Sequence, residues 1–202
     1  EKMLGDRILK RILKRAAIKR VAACINGRVE DLKKLIVFYR EHDFPPDMAM
    51  QNFINTLDAS IRDGTNFAKI FLRIGKETSK SCREKLVANL IFNQFVTGRA
   101  RREALSGGED RVPAFIVVSP TMRCNLKCHG CYSGLYPTEG ELSEQELDHL
   151  FGEIRNMGMY FVVISGGEPY LLKDVLLRLF KKYNDMFFLT YTNGTLIDEN
   201  VA

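Results

Sequence analysis

The chain has 202 residues, 46% of them hydrophobic and 27% charged, which is the composition of an ordinary soluble protein with room for one large or two small domains. No apolar run nears the roughly 20 residues that span a bilayer, and the first residues are polar and basic rather than the apolar core of a secretory signal. Five cysteines, three of them clustered, argue against a secreted disulfide framework and for a reducing, cytoplasmic setting, while a net charge of +5 is too small to imply nucleic acid by itself.

The first hundred or so residues read as about five short helices. Leu32, Leu35, Ile36 and Tyr39 share one helical face, as do Met50, Phe53, Ile54, Leu57 and Ile61. Phe67, Ile70, Phe71 and Ile74 repeat the spacing, and so do Val87, Leu90, Ile91 and Phe95. Pro45-Pro46 punctuates the series, and Gly64 and Gly75 mark expected breaks. At the start, Lys2, Arg7, Lys10, Arg11, Lys14, Arg15, Lys19 and Arg20 alternate with Ile8, Leu9, Ile12 and Leu13. A basic helix of this kind could meet RNA or an anionic surface, but a solvated face is the plainer reading. Cys24 and Cys82 are expected to be small core residues, and His42 and His149 surface ones.

A turn-rich stretch over 106–113 sets the expected domain boundary, with 1–107 all-α and 108–202 of another kind. Residues 114–119 read as a short buried strand. Ser143 with Glu146 forms a capping box for a helix lined by Leu147, Leu150, Phe151, Ile154 and Met157 and ended by Gly158. A second strand follows over 160–164, then a helix carrying Leu172, Val175, Leu176, Leu179, Phe180 and Tyr183, then a third strand over 187–192. Alternating apolar strands and helices predict a parallel α/β sheet, whose chemistry sits at the C-terminal strand ends. Three strands cannot close a barrel. A chain that starts at Glu1 and stops at Ala202 is therefore expected to be a piece of a longer protein.

The loop after the first strand holds Cys124, Cys128 and Cys131 in Cys-x3-Cys-x2-Cys spacing. Three thiols are more than a disulfide needs and one short of a closed metal site. A structural zinc loop would need four ligands, and the nearby His129 is too close to Cys128 in sequence to reach the same ion without strain. The loop after the second strand is Ser165-Gly166-Gly167-Glu168-Pro169. Its glycines permit close approach of a ligand to the main chain, and Glu168 offers a carboxylate at the strand mouth.

These two loops, in this order and about forty residues apart, resemble the radical S-adenosylmethionine (SAM) enzymes. The resemblance spans roughly residues 112–200 and implies the first three units of a partial (β/α) barrel. It implies that Cys124, Cys128 and Cys131 hold a [4Fe-4S] cluster whose fourth iron takes SAM, and that Gly166, Gly167, Glu168 and Pro169 hold SAM's methionyl part. Tyr132, Thr192 and Asn193 are the further candidate cofactor contacts. Many members carry an aromatic residue just before the third cysteine; here that position is Gly130 and the aromatic is Tyr132. The implied chemistry is reductive cleavage of SAM to a 5′-deoxyadenosyl radical that abstracts hydrogen, with an electron donor such as ferredoxin or flavodoxin. Peptide or protein modification and cofactor maturation are the expected uses. An RNA-modifying enzyme is the alternative, nucleic acid being the less favoured partner, and a zinc-stabilised, non-catalytic helical adaptor is the other.

Overall fold

A computed structural model describes residues 2–41, 48–107 and 111–201, with the side chains of 2–11 and 48–49 left aside. His42, the Pro45-Pro46 turn and the basic side chains up to Arg11 fall outside that description. The chain divides into two compact units, Glu1–Ala88 and Asn89–Ala202.

The first unit is helical: α1 (Lys2–Cys24), α2 (Val29–Glu41), α3 (Met48–Asp63), α4 (Asn66–Glu77) and α5 (Lys80–Leu86). Ile36 of α2 packs on Ile54 and Leu57 of α3, the faces read from their spacing. Phe53, Phe67 and Phe71 close this core edge-to-face, with centroids 5.3–5.9 Å apart, an arrangement that aromatic quadrupoles favour. At the start of α2 the buried Asp31 accepts hydrogen bonds from Lys34 and Asn26 at 2.7 Å and from Arg28. These donors, Lys34 foremost, hold its carboxyl well below the usual range.

Three expectations in this unit need correcting. Gly75 does not break a helix; it lies inside α4, and a Cβ there would overlap the backbone of Asn26 and Gly27. Its role is to let the α1–α2 turn press against α4. Ile70 and Cys82 are exposed rather than in the core.

From Val87 to Gly98 the chain continues as a wider, π-type helix and then as α6 (Arg99–Leu105). The sequence assigns this segment to the helical domain, yet from Asn89 onward it belongs to the second unit. The reason is polar. Asn89 donates to the carbonyls of Asn184 (3.0 Å) and Met186 (2.8 Å), and Asn93 to that of Asp185 (2.8 Å). Gln94, almost fully buried, donates to the Ala114 carbonyl and accepts from Tyr160 N–H at 2.7 Å. Arg102, also buried, donates to the Gly158 carbonyl. One helical segment thus satisfies backbone groups just before all three strands.

Those strands are β1 (Ile116–Val118), β2 (Phe161–Ile164) and β3 (Phe187–Thr190), a parallel sheet in the order β1-β2-β3. Val118 pairs with Ile164, and Ile164 with Thr190, so the three C-terminal ends lie in one row. Helices α7 (Glu144–Asn156) and α8 (Lys173–Lys182) cover one face. Val162 and Ile164 meet Leu147, Phe151 and Ile154 of α7 and Leu176 and Leu179 of α8. Each such side chain contributes about 1.5–3 kcal/mol when fully buried. Met157 is exposed and caps α7; Met159 takes the core place expected of it. The opposite face carries the ring row Phe115, Phe161, Phe187, with centroids 5.6 and 5.4 Å apart.

Candidate metal and cofactor site at the strand ends

The two informative loops lie against each other because the β1–β2 ladder does not stop where the strands do. Ser165 N–H donates to Val118 O at 2.8 Å, Gly167 N–H to Thr121 O at 2.9 Å and Glu168 N–H to Arg123 O at 2.8 Å. The Gly-Gly-Glu turn is therefore strapped to the segment that ends at Cys124. Gly166, at φ +113°, and Gly167 sit so close that a Cβ on either would overlap Thr121 O or Arg123 O. The close approach that the sequence reserves for a ligand is made here by the cysteine loop's own main chain.

Glu168 is fully buried. Its Oε1 accepts from Tyr170 N–H (2.9 Å) and the Thr192 hydroxyl (2.8 Å), and its Oε2 from Asn193 N–H (2.8 Å). The carboxylate expected at the strand mouth instead points inward and ties the end of β2 to the end of β3. Three donors, two of them backbone, offset the cost of burying this charge. Pro169 is buried at the start of the short turn Pro169–Leu172 that leads into α8.

Cys124, Cys128 and Cys131 are free and exposed. Cys124 Sγ accepts from Leu126 N–H at 3.4 Å and faces the Asn193 side-chain amide at 3.7 Å. Cys131 N–H donates to Cys128 O at 3.3 Å, so the last two cysteines share one tight turn. Cys131 Sγ lies 3.3 Å from the Ser133 hydroxyl. The hydroxyl and N–H of Ser133, then Gly134 N–H, hold the Cys131 thiol below its ordinary pKa. Such donors favour the thiolate, the form that binds metal. Among the described residues no three His, Cys, Asp or Glu side chains are gathered as for a single metal ion. A four-iron cube asks for something else, since each thiolate meets a different iron and the sulfurs must stand apart. Three exposed thiols on one loop suit that donor chemistry.

Tyr132 and Asn193 join the loops. The Tyr132 hydroxyl lies 3.0 Å from Ser165 Oγ and donates to Gly166 O at 3.2 Å. Asn193 Nδ2 also donates to Asn125 Oδ1 at 2.8 Å, and Asn125 Nδ2 donates to the Thr195 hydroxyl at 2.8 Å. All ten candidate site residues thus fall at this one end of the sheet. Asn125, Ser165 and Thr195 join them unforeseen; of these only Asn125, lying between two of the cysteines, carried a signal in the sequence. Beneath the loop, Glu141 accepts from the buried Thr121 (3.2 Å) and from Arg123 Nε (2.7 Å), a brace between residues too far apart in sequence to be read as one.

Residues 118–202 match the model of the radical SAM superfamily. Over these residues the chain is similar to radical SAM proteins. Relatives that it matches are named as enzymes. An Fe-coproporphyrin III synthase of Methanosarcina barkeri is 37% identical over 101 residues, covering 48% of this chain and 25% of that protein. A GTP 3′,8-cyclase of Lactiplantibacillus plantarum is 40% identical over 78 residues, covering 37% and 24%. A probable GTP 3′,8-cyclase of Methanothermobacter marburgensis is 30% identical over 86 residues, covering 41% and 28%. The chain spans about a quarter of the length of these relatives. No solved structure matches it. No helix among the described residues is long and apolar enough to cross a membrane.

Proposed function

We propose that this domain binds a [4Fe-4S] cluster through Cys124, Cys128 and Cys131 and uses it to cleave SAM reductively, in the maturation of a small-molecule cofactor. The observation that carries the reading is the strapping of the Gly-Gly-Glu turn to the segment ending at Cys124. When bound, the cluster would supply the electron for reductive cleavage of SAM. The chain's own part is placement. Cys131 is biased toward thiolate by Ser133, and Cys124 is anchored from β2 and β3. Tyr132 bridges the two loops through its hydroxyl, and its exposed ring would bound the space that SAM enters. Gly166, Gly167 and Pro169 shape the wall of that space. Thr192 and Glu168 hold the wall rather than reach across it, since each already bonds the other.

The names of the matched relatives carry small molecules, GTP and Fe-coproporphyrin III, which supports a small-molecule substrate over an RNA one. A partial (β/α) barrel continued by further strands, and an electron donor of the ferredoxin or flavodoxin kind, belong to the same reading. The test is electron paramagnetic resonance of the anaerobically reconstituted, dithionite-reduced protein with and without SAM. A cluster signal that changes shape with SAM is expected. Cys124→Ala, Cys128→Ala and Cys131→Ala are each expected to abolish it. Stoichiometric zinc with no iron signal would overturn the reading in favour of a structural loop.

A further inference from the structure

The Asn193 side chain occupies a position that its own hydrogen bonds define without ambiguity. One amide atom accepts from Thr195 N–H at 2.9 Å and from the Thr195 hydroxyl at 2.7 Å. A backbone N–H can only donate, so that atom must be the oxygen. The other, Nδ2, must then be the nitrogen, and it faces Cys124 Sγ at 3.7 Å and Asn125 Oδ1 at 2.8 Å. Behind it the Asn193 backbone N–H is fixed by Oε2 of the buried Glu168. The amide is therefore held from three directions with a donor aimed at the first cysteine's sulfur.

We infer that Asn193 is a positioning residue that tunes the cluster by an N–H···S bond to Cys124, and that Glu168 acts on the cluster through Asn193. This rests on the proposed cluster ligation. A donor to a ligating sulfur stabilises the extra negative charge of the reduced cluster and so raises its potential. It gives the buried Glu168 a role beyond fold. The Gly-Gly-Glu turn and the first cysteine are linked twice, by the main-chain ladder and by this side-chain relay.

The experiment is a redox titration of the reconstituted full chain, followed by electron paramagnetic resonance, with iron and sulfide content measured on each sample. Asn193→Leu removes the donor at similar size, and Asn193→Asp keeps an acceptor for Thr195 but turns an oxygen toward Cys124. Both are expected to load iron as the parent does and to show a more negative midpoint. The shift should be larger for Asn193→Asp than for Asn193→Leu because of the added charge. At the parent's midpoint the reduced fraction should fall several-fold. A loaded variant with the parent's midpoint overturns the inference and leaves the cluster reading intact. If neither variant loads iron while the parent does, Asn193 serves assembly and the tuning role is overturned. A parent that takes up no cluster overturns the underlying reading instead.

Discussion

At the scale of single residues, the site is organised by a carboxylate that never meets solvent. Glu168 accepts three hydrogen bonds from Tyr170, Thr192 and Asn193. Glu168→Gln keeps its size but turns an NH2 toward at least one of these donors. Leaving a buried donor unpaired costs about 1–3 kcal/mol. The variant is therefore expected to melt earlier and to loosen Asn193, with thermal unfolding and the midpoint of the proposed cluster as the two readouts; an unchanged melt would show that the carboxylate is not structural. Tyr132 was legible in sequence only as an aromatic beside the third cysteine. Its hydroxyl on Gly166 O depends on a fold that brings residues 34 apart together, and no local pattern announces that. The cysteine loop was legible because the close spacing of Cys124, Cys128 and Cys131 is written along the chain itself.

Elements show the same division between local and distant causes. The capping box of α7 stands as the sequence states it, with Ser143 accepting from Glu146 N–H and Glu146 from Ser143 N–H. It could be read because both partners lie within one helical turn. The pairing of α7 with α8 could not, being made by Glu144 with Arg178 and by Asp148 with Lys182. Hydrogen bonds from Arg178, Ser143 and Lys182 respectively lower the pKa values of Glu144, Glu146 and Asp148. Groups with depressed folded values stabilise fully above the unfolded carboxylate range, about pH 4, and lose that contribution as pH falls through the folded values. The melting temperature is accordingly expected to fall below about pH 4, and to fall less in an Arg178→Ala, Lys182→Ala double variant, whose acids have lost their partners. Equal acid sensitivity in the two proteins would count against these pairs. Their exposure keeps each contribution small.

For the whole molecule, the instructive departure is the helix after Val87. Its apolar stripe at Val87, Leu90, Ile91 and Phe95 promised a member of the helical domain, yet Phe95 is exposed and the polar residues between do the anchoring. Hydropathy reports burial, not the carbonyls that Asn89, Gln94 and Arg102 will cap, so this attachment was invisible before the fold was known. A chain of residues 87–202 is expected to keep the sheet folded, by circular dichroism and hydrogen exchange, where one of residues 108–202 does not. Removing the helix strips partners from the Met186 and Ala114 carbonyls and from Tyr160 N–H, each at about 1–3 kcal/mol if left buried. Equal protection in both chains would show that the sheet stands without it.

The close contact at Gly166 and Gly167 bears on how this domain can be dissected by mutation. Because Thr121 O and Arg123 O fill the space that any larger residue would need, the turn is intolerant for steric reasons alone. A saturation library scored for folding and one scored for turnover would go dark together at these two positions. Mutational intolerance there carries no information about the cofactor. Positions where the two scores can diverge, Tyr132 and Asn193 among them, are where a deep scan would separate what the scaffold demands from what the chemistry demands.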